Sequence, residues 1–170
     1  ASLIEHEGQA SAEHWAKGVY ANLAQPPQGN DTSNIEAVGA GECRISVVNT
    51  YYIGRMLGSD NPADVAAAEK TGLIFPNQAG RGTHVNISGA GVMKYAPDRE
   101  NAIRFLEFLT SDWVQNAFTE RNHEYTVVPG LMKKSPVPGT GAFKEDELNA
   151  SALGENQAEA VRIYDRVGWQ

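Results

Sequence analysis

The stretch Gly41-Glu42-Cys43-Arg44-Ile45-Ser46-Val47-Val48-Asn49-Thr50-Tyr51-Tyr52-Ile53-Gly54 runs from a β-rich segment into a helical one, and the reading of the chain turns on it. Residues 43–48 predict a short buried strand, and Thr50 to Leu57 predict a helix stopped by Gly58. Tyr51 and Tyr52 then stand at a strand-to-helix junction. Such a junction offers free backbone N–H groups and the positive end of a helix dipole, both of which favour an anionic oxygen. An unperturbed phenol ionises at a pKa of about 10, so two phenolates at neutral pH require a strong cation beside them. A hard trivalent metal takes oxygen donors and can deprotonate its own ligands. The same dipeptide also reads as an ordinary packing pair at the rim of a core. Successive helical residues point about 100° apart, so both rings reach one ion only if the pair straddles the start of the helix.

Working outward, short β-rich segments alternate with amphipathic ones. Ser11 predicts a cap for a helix with the stripe Trp15, Val19, Leu23, closing before Pro26-Pro27. Asp31 or Thr32 predicts the cap of the next, which carries Ile35 and Val38 and stops at Gly41. Pro62 after Asp60-Asn61 opens a short helix. Residues 73–75, 84–88, 90–94 and 125–128 read as extended or strand segments. A helix is expected near 98–110, with Ile103, Leu106 and Leu109 on one face. Ser111 caps another through Val114 and Phe118, and residues 157–166 form a terminal helix. This βα alternation predicts an α/β fold and leaves the topology open.

Composition sets limits. The chain has 170 residues, 41% hydrophobic and 21% charged, which suits a folded chain with a core of its own. Its net charge of −7 argues against binding nucleic acid or anionic lipid through a general basic surface. The one cysteine, Cys43, has no internal partner for a disulfide and reads as a small buried hydrophobe.

Enzymatic signatures are absent. Gly80-Arg81-Gly82 and Gly89-Ala90-Gly91 complete neither a dinucleotide-binding fingerprint nor a P-loop, and read as turn glycines. The four histidines, His6, His14, His84 and His123, show no paired metal spacing, and His84 reads as a strand or hinge residue. Glu145, Asp146 and Glu147 read as a solvated helix start. No serine sits in a GxSxG elbow, so the chain is expected not to be an enzyme.

Several runs, in order, resemble the periplasmic ferric-iron-binding proteins that serve ABC importers. They are Pro27-Gln28-Gly29-Asn30-Asp31-Thr32, Asn49-Thr50-Tyr51-Tyr52, Phe75-Pro76-Asn77-Gln78, the run from Gly80 to Val92, the helix Glu100 to Ser111, and Tyr125-Thr126-Val127-Val128-Pro129-Gly130. The match is to the carboxyl-terminal half of that family. The resemblance implies a type II periplasmic-binding fold, with mixed sheets flanked by helices and two lobes around a cleft, present here as an incomplete two-lobed fold. Residues 1–82 would belong to the carboxyl-terminal lobe, 83–127 to the amino-terminal lobe, and 128–170 would return to the first. The chain opens without an export signal and reads as a piece. Periplasmic localisation is expected from the resemblance alone.

Carried over residue by residue, the resemblance makes Tyr51 and Tyr52 ligands of Fe(III), with a bound anion or water completing the shell. Asn49 matches a position beside the metal-bound anion or in the shell behind the ligands. Asp31 stands where some relatives carry an anion-contacting asparagine, and a carboxylate there would repel an anion. The further tyrosine and the His-Tyr pair of tyrosine-rich relatives have no counterpart in this sequence. The implied partners are the membrane subunits of an ABC importer, and an absent amino-terminal half or a swapped copy covering the apolar stripe of helix 98–110. Two other readings stay open: a solute-binding protein for a different small ligand, and an interaction or swapped fragment that binds no metal.

Overall fold

The computed structural model describes residues 1–131 and 135–169. Its regular structure is helical: α1 (Ser2–Glu7), α2 (Gln9–Ala21), α3 (Asp31–Ala40), α4 (Thr50–Leu57), α5 (Pro62–Glu69), α6 (Arg99–Leu109), α7 (Asp112–Asn122) and α8 (Ala150–Val167). The predicted stops hold, with Gly41 left-handed after α3 and Gly58 after α4. Pro62 opens α5 behind an Asn61 cap. Other boundaries move. Asn30, not Asp31 or Thr32, caps α3, through a reciprocal box with Ser33. Gly8 stands at the start of α2, three residues before Ser11, and α8 starts at Ala150, well before the expected residue 157.

The expected mixed sheets are not formed among the described residues. The only pairing there is an isolated parallel bridge between Thr83 and Glu145. A β-rich segment becomes a strand only where a neighbour accepts and donates along its backbone, and among the described residues segments 43–48, 73–75, 84–88, 90–94 and 125–128 have no such neighbour. Residues 43–48, predicted to be buried, instead show Ile45 and Val47 to solvent, Val47 at 83%. Segment 125–128 takes side-chain partners in place of a ladder: the Val127 N–H donates to Gln115 Oε1 at 2.9 Å and the Val128 N–H to Thr126 Oγ1 at 3.0 Å.

Two compact units result. One comprises Ala1–Gly29, Phe75–Val85 and Phe143–Gln170, the other Asn30–Ile74 and Asn86–Ala142. In the first, Ala12 and Ala16 of α2 pack on Ile163 of α8, with Leu3, Ile4 and Val167 around them. Small residues on α2 let α8 approach closely. Gly82, with φ +101°, lies so near the 143–146 segment that a Cβ there would meet the Glu145 carbonyl oxygen at 2.5 Å, which admits no larger residue. Asp146, expected to be solvated, is buried and accepts from His6 Nε2 at 2.8 Å, because a carboxylate removed from water needs a partner.

The second unit carries the tyrosines. Its core joins Ile35 of α3, Ile53 and Met56 of α4, Ala68 of α5 and Val137, with Val48, Tyr52, Leu57 and Leu73 packed against them. Burying side chains the size of Ile53 and Met56 stabilises by about 1.5–3 kcal/mol each. Position 54 fixes α4 from another side: a Cβ on Gly54 would meet the His123 ring at 2.5 Å. His123 closes α7 in a left-handed conformation, and its Nδ1 is bonded to the Pro136 carbonyl at 2.9 Å. α4 is therefore held on two faces, which fixes where its first turn points.

Candidate metal centre

Tyr51 and Tyr52 are the second and third residues of α4, in the first turn after Asn49. Their rings lie side by side, with centroids 4.4 Å apart and planes inclined at 31°. The structure brings the two phenols together at the helix start. Tyr52 packs partly on the core, and both rings are half-buried. The Asn49 side chain makes no capping bond, and the Tyr52 N–H donates instead to the Asn49 carbonyl at 3.2 Å.

Arg55 supplies a cation that the sequence reading did not single out. Its guanidinium carbon lies 4.9 Å from the Tyr51 ring centre and 5.7 Å from that of Tyr52. The spacing was there to be read, since positions i+4 and i+3 share a helix face with the two tyrosines. Even so, the Tyr51 phenol is held above the ordinary tyrosine range. Hydrogen bonding with Tyr52 is the largest cause, followed by burial and by the charges of Tyr52 and Asp31, while Arg55 opposes them. Without a metal the phenol stays neutral, and a cation binding here must displace its proton.

Behind the pair, Asn49 and Asp31 are joined. The Asn49 Nδ2 donates to Asp31 Oδ2 at 3.1 Å, and Asn49 Oδ1 accepts from the Asn86 Nδ2 at 3.0 Å. One oxygen of the Asp31 carboxylate is thus already committed to an amide. Asn86 was not legible as part of this group, because no local periodicity links it to a residue 37 positions earlier. Cys43 is half-buried and unpaired. Among the described residues, no group of three or more His, Cys, Asp or Glu side chains is arranged to hold a metal.

The chain is similar to proteins named for iron uptake and ferric-iron binding. No protein-family model matches the chain. Homologues nevertheless cover its whole length. It is 48% identical over 170 residues to iron uptake protein A1 of Synechocystis, of which it spans 47%. A Trichodesmium protein solved in complex with iron and citrate ligands superimposes at a TM-score of 0.93 with 51% identity, covering 99% of this chain and 54% of that one. The ferric binding protein from Campylobacter jejuni gives 0.94 with 43% identity over the same shares. The chain spans about half the length of the relatives it matches.

Proposed function

We propose that this chain is the ligand-gathering carboxyl-terminal portion of a ferric-iron-binding protein that works in the periplasm and delivers its metal to an ABC importer. It acts by binding and not by catalysis. Tyr51 and Tyr52 are the phenolate ligands of Fe(III), and Asn49 and Asp31 form the shell behind them. The observation that carries this reading is the side-by-side phenol pair in the first turn of α4, with Arg55 over the rings. Similarity to a Trichodesmium protein complexed with iron and citrate supports the choice of metal. Two phenolates fill two of the roughly six oxygen positions of a hard ion, so water, an anion such as citrate, or the remaining part of a longer protein completes the shell. That remaining part also covers the apolar side chains that α6 shows to solvent.

Ferric phenolates absorb visible light by charge transfer from ligand to metal. Stoichiometric ferric citrate should colour the chain, and Tyr51→Phe with Tyr52→Phe should abolish the colour while the melting curve barely moves. Because each ligand loses a proton on binding, and Tyr51 holds its proton more tightly than a free phenol, the coloured fraction should fall as pH is lowered. A chain that stays colourless at every pH, or a double variant that still colours, would sink the assignment.

A further inference from the structure

We propose that Asn86 is a positioning residue for the tyrosine pair, acting through Asn49; this rests on the reading of Tyr51 and Tyr52 as ligands given above. Asn49 occupies the cap position of α4 and yet does not cap it. Its amide instead bridges two separate segments, donating to Asp31, the first residue of α3, and accepting from Asn86. The two bonds together fix which way the amide faces. A carboxylate only accepts, so the NH2 must turn towards Asp31, and the Asn86 NH2 only donates, so the oxygen must turn towards Asn86. Flipping the amide would set oxygen against carboxylate and NH2 against NH2. With the amide locked, one Asn49 N–H has no partner among the described residues and keeps a fixed direction beside the first turn of α4. Asp31 decides which way the Asn49 amide faces, and Asn86 is the second hold that keeps it from swinging, two positions before Tyr51.

Asn86 is itself exposed and touches neither phenol by hydrogen bond, so its removal should change orientation and not stability. For groups that orient a metal ligand from behind, losses are typically about 10–100-fold in affinity. Asn86→Ala should release iron from the ferric-loaded chain faster by a factor in that range, with an unchanged melting temperature. In an Asn49→Ala background the same substitution should add nothing, since the two residues act as one unit. A readout without metal separates this from the ligand assignment. In the iron-free chain, Asn86→Ala should shift the NMR signals of the Asn49 side-chain NH2 and of the Tyr51 and Tyr52 backbone amides. If those signals stay in place, the positioning role is overturned, whether or not the chain binds iron. If they move while the wild-type chain stays colourless with ferric citrate, the ligand reading has failed and the role of Asn86 in holding the pair stands.

Discussion

Helices α4 and α6 lie in the same compact unit and both carry an apolar stripe, yet their fates differ. α4 buries Ile53, Gly54 and Met56, whereas α6 buries no residue at all and shows Ile103, Phe105 and Phe108 to water. An amphipathic pattern states that one face of a helix gains by burial. It does not state what will cover that face. α4 meets α3, α5 and α7, while α6 is fastened at its end by a polar contact, with Gln115 Nε2 donating to the Leu109 carbonyl at 2.8 Å. The helix that positions the tyrosines is locked by packing, while α6 leaves its apolar side chains at the surface.

The sharpest way to break this comparison is to truncate the two stripes. Met56→Ala, at a site 3% exposed, should destabilise the chain by about 2–5 kcal/mol. Phe105→Ala, at 58%, should stay within about 0.5 kcal/mol in denaturant unfolding. Equal losses would mean that α6 is covered after all. Gly54→Ala probes the second face of α4. The added methyl meets the His123 ring, so a loss of about 1–3 kcal/mol is expected from overpacking despite the better helix propensity of alanine. A stabilised variant would show that α7 does not pin α4.

The polar fastening of α6 can be tested in turn. Gln115 is buried, and its carbonyl also accepts from Thr126 and Val127, so Gln115→Ala leaves several groups unsatisfied and should cost about 1–3 kcal/mol. Hydrogen exchange should rise at the Val127 amide first. The smallest effect lies outside both helices. Glu13 is held below the ordinary carboxylate range by Lys17 and then Arg166, and Glu159 by Arg166 and then Arg162. A lowered folded pKa means that the stabilisation is present above the unfolded value and is lost as pH falls through the folded one. Lys17, Arg162 and Arg166 are exposed and the two carboxylates are open to solvent on one side, so the acid-side change in melting temperature should be slight. It should be smaller still in high salt and in Arg166→Ala.

The helices were legible because their signals are local: Gly41, Gly58, Asn61-Pro62 and the stripe of α4 each act within one turn of themselves. The phenol pair was legible for the same reason. Strands were not, because a β-rich run such as 43–48 is completed only by a partner segment, and among the described residues none lies beside it. The cap of α3 was misjudged by one residue, since Asn30, Asp31 and Thr32 are all competent caps and only the bond to Ser33 decides between them. Asp146 looked solvated in its acidic run because its partner, His6, is 140 positions away. Asn86 was invisible on the same ground.

The packing of Ala12 and Ala16 on Ile163 carries a consequence for the order in which this molecule is made. Helix α2 has its partner in α8, and the Gln9 side chain meets Glu159, a separation of 150 residues along the chain. A ribosome adding about 5–20 residues each second needs on the order of ten seconds or more to cover that distance. Through that interval the apolar face of α2 lacks α8, with Leu3 and Ile4 of α1 beside it. In the unit holding the tyrosines α3, α4 and α5 emerge together, and only Val137 and His123 reach α4 later. Helices α3, α4 and α5 can therefore begin to pack on one another before α2 meets α8.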